Sequence, residues 1–527
     1  MKSRFGLGTV STAGYRLMLA AFVALLLLAA CAPAAPTGPA ASGGAETAAQ
    51  PAGASILRVA MQPIVQTDPA FISSDSEVLV ANHVYDYLVD IDAQNNVTPR
   101  LATRWTVSED GLSYVFQLAE GVTFHDGSPL TAADVAWTFN RLRDPALELP
   151  TKDLYANIAD VQTTGDLEVT FTLQEPNPWF LFDLSDNHAL VLKEGTEDAA
   201  TNFSGTGPFK VVSYSPEDRI ELAANESYFV DGQPQLDGLQ FIFFNDEAAA
   251  VDALRGGQVD VAMRMSTELF TGLQGTPGIV TLDVPTNGFD LVRLRSDREP
   301  GSDPRVIQAL KLATDREAIW QVVQQGYGAV GRDSPVGPLY AAYYSEETPI
   351  PARDVETARA LLAEAGYGDG LSIDLHVPDT GSRPNLAVVL KEQWAEAGVN
   401  ANVIVEPESV YYGDEGWLEV DLGITGWGSR PYPQFYLDVM LRCDAIWNES
   451  YFCDEEFDEL ATIAGTSLDE GERVQALQEI QRILIERGPV IIPYFFAQFA
   501  AHSDQVEGLA LKAFAGRTDF RPVSLAQ

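Results

Sequence analysis

The chain has 527 residues, a length that corresponds to about three domains, and its 46% hydrophobic and 10% aromatic content excludes an intrinsically disordered protein. Against 33 Lys and Arg stand 75 Asp and Glu, a formal net charge of −42, which excludes a phosphate-reading nucleic-acid protein and docking on anionic lipid through a basic patch. Five His and three Cys occur without CxxC, HxH or HExxH spacing, so neither a zinc or redox centre nor a cofactor is expected.

The chain opens with Lys2, Arg4 and Arg16, followed by an apolar run from Leu17 to Ala30. Fourteen residues is short for a membrane span and suits the hydrophobic region of a signal peptide. Leu28-Ala29-Ala30-Cys31 resembles the bacterial lipobox, which implies removal of residues 1–30 and lipidation of Cys31. Residues 31–54 are small, polar or proline and read as a flexible tether. The expected location is extracytoplasmic, held to the cell membrane by the lipid alone on its periplasmic or cell-surface side, and the mature charge deepens to −45. In such a compartment Cys443 and Cys453, ten residues apart, can form a disulfide or remain two free buried thiols; the bridge is the reading adopted.

From Ser55 the pattern alternates strands and helices. Tyr114–Leu118, Val122–Phe124 and Val169–Leu173 read as strands. Asp126-Gly127 signals a turn, and Thr131 with Asp134 forms a capping box ahead of a helix bearing Val135, Phe139 and Leu142. Gly205-Thr206-Gly207-Pro208 is expected to supply positive-φ positions. Asp303-Pro304 starts a helix that buries Val306, Leu310 and Ala313. A helix from Asp354 stops at Gly366, strand Leu371–Val377 alternates, a helix carries Leu386, Val389, Leu390 and Trp394 to Gly398, and strand Val399–Val405 follows. Val474, Leu477, Ile480 and Leu484 mark a last helix before an apolar strand, Val490–Phe496. The fold class is α/β, and no linker-like stretch interrupts residues 55–527.

Several ordered stretches resemble the family 5 extracellular solute-binding proteins, the oligopeptide, dipeptide and nickel receptors of ABC importers. They are residues 104–143, Gly205-Thr206-Gly207-Pro208-Phe209-Lys210, Asp303 to Leu310 with Asp315-Arg316-Glu317, and Trp447-Asn448 onward through Phe457-Asp458-Glu459-Leu460 to Pro493. The resemblance implies a two-lobed clamp of the periplasmic-binding-protein type (type II, class C-like). One lobe is expected from residues 55–81, 196–285 and 497–527, a subdomain on it from 82–195, and the opposing lobe from 286–496. It implies a monomeric, non-catalytic receptor that takes a small ligand, short peptides by default, and delivers it to membrane permease subunits. A non-peptide carboxylated solute or metal chelate is the alternative, and an exported hydrolase a lower one; no Gly-x-Ser-x-Gly elbow or His-centred relay supports the last.

By the same resemblance, two extended segments flank the ligand: Phe71, Ile72, Ser73 and Ser74, and the run Trp427, Gly428, Ser429, Arg430 and Tyr432. Asn287 and Tyr411 are weaker candidates. Where peptide receptors often carry an Asp three residues after the Trp, to pair with the ligand ammonium, this chain has Arg430. Either Arg430 binds an acidic ligand group or it salt-bridges to one of the many acids nearby.

Overall fold

A computed structural model describes residues 53–413, 416–514 and 516–526. Residues 1–52, with the expected leader, Cys31 and most of the expected tether, lie outside the described residues. Residues 54–527 make one compact unit. Its largest feature is a twelve-stranded mixed sheet. In chain order ten of its strands are β1 (Ile56–Met61), β2 (Phe209–Ser215), β3 (Arg219–Ala224), β4 (Gly238–Phe243), β5 (Val261–Met263), β6 (Ile279–Leu294), β7 (Leu371–Pro378), β8 (Val399–Glu406), β9 (Leu422–Trp427) and β10 (Tyr494–Ser503). Across the sheet they run β8-β7-β9-β6-β10-β5-β1-β4-β3-β2, with short strands Ala329–Val330 on β10 and Val490–Ile491 on β6. The pairs β1/β4, β1/β5, β7/β8 and β7/β9 are parallel.

The β6–β10 ladder joins the two parts of this sheet. It pairs Ile279 with Ser503 through Pro285 with Ala497, loses register, and resumes at Phe289 with Phe495. From Phe289 onward β6 pairs on its other edge with β9. Residues 279–285 of β6 are exposed or half-buried, whereas every residue from Thr286 to Leu294 is buried. That change of pattern marks passage from a one-sided surface into a sheet covered on both faces.

A separate four-stranded antiparallel sheet runs Ala102–Val107, Ser113–Leu118, Glu168–Leu173, Ile158–Gly165. Its side chains join one hydrophobic core with those of β1 and β4. Helix Ala132–Leu142 packs on it, and the Thr131–Asp134 capping box is present. A second core lies between β7, β8, β9 and the helices Pro304–Ala313 and Arg383–Ala395, with Trp394 fully buried. The helices start and stop where polar caps and glycines stand: Asp303 accepts from the amide of Arg305, and Gly366 closes its helix at φ 96°.

Three expectations need correction. Val122–Phe124 is not a strand but one residue of an isolated bridge, Thr123 to Pro129, around the Gly127 turn. The run Val490–Phe496 is two strands, broken at Ile492-Pro493 because proline has no N–H for the ladder. Gly205 and Gly207 do not take positive φ. They are needed because helix Asp75–Val84 ends against them: a Cβ at Gly205 would sit 2.0 Å from the Val84 carbonyl oxygen. Cys443 and Cys453 form a disulfide, with Cα atoms 4.4 Å apart.

Candidate binding cavity

A cavity of about 670 Å³ opens where the β6–β10 ladder loses register. One wall comes from Met61, Asp75, Leu79, Glu247 and the stretch Met263–Glu268; the other comes from Asp290, the turn Gly381–Arg383 and residues Gly426–Ser429. The first group sits at the C-terminal ends of the parallel strands β1 and β5, and Gly381–Arg383 follows the C-terminal end of parallel β7. Loops at such strand ends are the customary ligand position in open α/β sheets.

Arg383 dominates the second wall. It stands at the first position of helix Arg383–Ala395, with Pro384 behind it. Its Nε donates to Asp290 Oδ1 at 3.1 Å, and its Nη1 donates to the backbone oxygen and Oγ1 of Thr380 at 2.8 and 2.7 Å. Nη2 has no hydrogen-bond partner among the described residues. Gly426 makes room for it, since a Cβ there would lie 2.2 Å from Nη2. Asp290 is fully buried and also accepts from Tyr494 Oη at 2.6 Å and Ser382 Oγ at 3.3 Å. Burial pushes its carboxyl up, and the Arg383 cation opposes that. The cavity thus presents a fixed guanidinium with one uncommitted edge. On the facing wall, Arg264 lies 3.6 Å from Asp75.

Of the residues proposed from sequence, Trp427, Gly428 and Ser429 line this cavity. Trp427 is 8% exposed, and its indole N–H donates to Glu449 Oε1 at 3.2 Å. Ser429 is held by the backbone N–H of Asn287, which donates to Ser429 Oγ at 3.1 Å; Asn287 itself is fully buried and does not line the cavity.

The other candidates are placed elsewhere. The amides of Ser73 and Ser74 do not present a free strand edge. Both donate to Glu77 Oε2, at 2.8 and 3.0 Å, because Ser74 caps helix Asp75–Val84 and Glu77 completes its capping box. Ile72 is buried and Phe71 is exposed outside the cavity. Tyr411 is fully buried, its hydroxyl 3.1 Å from Thr425 Oγ1. Arg430 turns away from the cavity. Its guanidinium lies over the Phe435 ring at 4.7 Å and donates to the Ser429 carbonyl at 3.3 Å, with no carboxylate among the described residues within ion-pair distance. Of the two roles expected of it from sequence, the salt bridge is not formed. Tyr432 stacks on Trp179, centroids 5.4 Å apart, and donates to Asp183 Oδ1.

The residues missed were Arg383, Asp290 and the methionine-bearing wall. A signal existed for Arg383: a polar turn, Thr380-Gly381-Ser382, directly after a parallel strand. Asp290 had none, because its partners come from positions 92 to 204 residues away.

Asp183 carries a testable consequence. Burial raises its carboxyl to about 7, opposed by Tyr432 and by Asn177, whose Nδ2 donates at 2.7 Å; Asp186 and Asp438 add to the rise. The folded state therefore keeps a proton that the unfolded chain releases near pH 4. This contribution to stability is complete below that pH and is lost as pH rises through about 7. Asp183→Asn is expected to remove that slope and to raise stability at neutral pH by roughly 4 kcal/mol at most. Melting temperatures of both proteins from pH 4 to 8 check it; parallel curves would refute the assignment.

The whole arrangement has counterparts. Residues 96–448 match the family described as "Bacterial extracellular solute-binding proteins, family 5 Middle". The chain belongs to this family. This solute-binding protein is 29% identical over 525 residues to the "Probable di/tripeptide-binding protein 5" of Pseudomonas aeruginosa, covering 90% of this chain and 97% of that one. It is 27% identical over 496 residues to "Heme-binding protein A" of Haemophilus influenzae, covering 86% and 89%. Among solved structures, HbpA2 from Haemophilus parasuis superposes with a TM-score of 0.78 at 26% identity, covering 90% of this chain and all of that one. A dipeptide-binding protein from Pseudoalteromonas in complex with Met-Leu gives 0.76 at 24% identity and shares the fold. The family is extracytoplasmic and binds solutes; among the described residues no helix is long and apolar enough to cross a membrane.

Proposed function

We propose that this solute-binding protein captures short peptides in the 670 Å³ cavity and presents them to the permease of an ABC importer. The observation that carries the reading is Arg383, a guanidinium held by three hydrogen bonds through Nε and Nη1 with Nη2 free at the cavity, which suits a terminal carboxylate. Relatives named for di- and tripeptides support it. The cavity lies within the range of small-ligand sites.

In this reading the lobes are residues 55–81 with 196–285 and 497–527, carrying the subdomain 82–195, and residues 286–496. The register break between Pro285 and Phe289, opposite Ala497 and Phe495, supports a hinge there. Ligand touching both walls favours the closed arrangement, since it binds that state better. The reading also includes a lipid on Cys31, with residues 31–54 as tether, a monomeric state and no catalysis.

Calorimetric titration with di- and tripeptides, with native mass spectrometry of protein purified from its host, tests it. Saturable binding of peptides with a free C-terminus is expected. Retention of a solute without peptide bonds, with no peptide binding, would overturn it in favour of another carboxylated ligand. Arg430→Ala is expected to leave the dissociation constant within about twofold of wild type, because Arg430 faces Phe435; a loss of roughly tenfold or more would return it to the site.

A further inference from the structure

Six methionines occur in the chain. Met1 and Met18 belong to the leader, and Met440 is buried in a core with Tyr436 and Leu441. The remaining three, Met61, Met263 and Met265, all line the cavity. Met61 ends β1 and Met263 ends β5. These strands pair in parallel with Val59 opposite Val261, so the two methionines extend one face of the sheet side by side. Met265 follows two residues later and packs with Phe270 and Phe499. Arg264, between them, also lines the cavity, its side chain 60% exposed and 3.6 Å from Asp75. Leu79 and Phe499 border the same wall.

The cores of this protein are otherwise filled by Leu, Val, Ile and Phe, whose shapes are nearly fixed. A thioether chain is unbranched and polarizable, and it re-forms around different apolar shapes. We infer that the methionine wall is a shape-tolerant subsite for an apolar side chain of the bound peptide. The inference rests on the peptide reading above and specifies its substrate class: peptides that place a carboxylate at Arg383 and a bulky uncharged side chain against Met61, Met263 and Met265. The two ends of such a ligand match the two walls, one set by the Arg383 guanidinium, the other carrying the three methionines among Asp75, Glu247, Arg264 and Glu268.

Titration of the whole mature protein with dipeptides differing in one side chain tests this. Leucyl, methionyl and phenylalanyl variants are expected to bind within about threefold of one another and roughly tenfold or more tighter than alanyl or aspartyl variants. Met263, only partly buried, is the position to change. Met263→Ala is expected to weaken the bulky apolar peptides about tenfold more than it weakens alanyl-alanine. In the wild type, saturating apolar peptide is expected to slow peroxide oxidation of Met263 to the sulfoxide, a readout that needs no variant. Peptide affinities flat across side chains, or an oxidation rate unmoved by ligand, would overturn the subsite while leaving the peptide reading intact. Failure of every peptide to bind would overturn that reading and this one with it. A hemin Soret shift abolished in Met263→Ala would overturn the subsite by assigning the thioethers to an iron ligand.

Discussion

Glu449→Ala is expected to destabilise the protein by about 3–5 kcal/mol, the cost of stranding one member of a buried ion pair. Glu449 and Arg293 are both fully buried. Arg293 Nε donates to Glu449 Oε2 at 3.1 Å and Nη1 to the Val420 carbonyl at 2.9 Å, and Nη2 bonds the Trp417 carbonyl. The same carboxylate accepts from Thr425 Oγ1 at 2.6 Å and from the Trp427 indole at 3.2 Å. Removing it leaves a buried guanidinium without a counter-charge and frees two donors, one of them on the ring that lines the cavity. Burial pushes the Glu449 carboxyl up, with Arg293 the first opposing influence, so attraction does not fully offset desolvation and the pair's value lies in satisfying buried groups. A double change, Arg293→Met with Glu449→Leu, is accordingly expected to cost far less than Glu449→Ala alone. Urea unfolding of the three proteins, with Trp427 emission as a local probe, measures this; a single variant within about 1 kcal/mol of wild type would defeat the argument.

Arg383→Ala is expected to weaken binding of free-carboxylate peptides by about 1.5–3 kcal/mol, roughly 10–150-fold. The variant removes the guanidinium edge at the cavity and the cation that opposes the upward push of burial on the Asp290 carboxyl, which is expected to rise further. The two effects separate experimentally. C-terminally amidated peptides are expected to bind wild type more weakly, and to lose little further affinity in the variant. If amide and acid peptides lose affinity equally on substitution, Arg383 acts through Asp290 and not on the carboxylate.

The α/β alternation between residues 351 and 405 was legible because each element there is local. Alternating Leu371, Ile373, Leu375 and Val377 give one strand, Gly366 and Gly398 stop the helices, and β7 and β8 pair residue for residue. The capping box at Thr131 was legible for the same reason, since its partners are three residues apart. The Gly205 and Gly207 motif identified the family but suggested the wrong physics: sequence shows that a side chain is absent, and only the packed helix end at Val84 shows why. The candidate site was legible where a backbone segment carried it, at Trp427 to Ser429. Sequence did not show where side-chain direction decides placement, as at Tyr411, Tyr432 and Arg430, which do not line the cavity.

Sequence by itself determined the family, the export address it expects, the charge and the elements in order, because these depend on composition and on spacings of a few residues. Tertiary structure alone decided which charges are spent on one another and which face the cavity. The acids that surround Arg430 in composition do not reach it in space, whereas Asp290 meets Arg383 across 93 residues. An ion pair is a matter of ångströms between atoms, and a long chain brings such atoms together only when the sheet that carries them has formed.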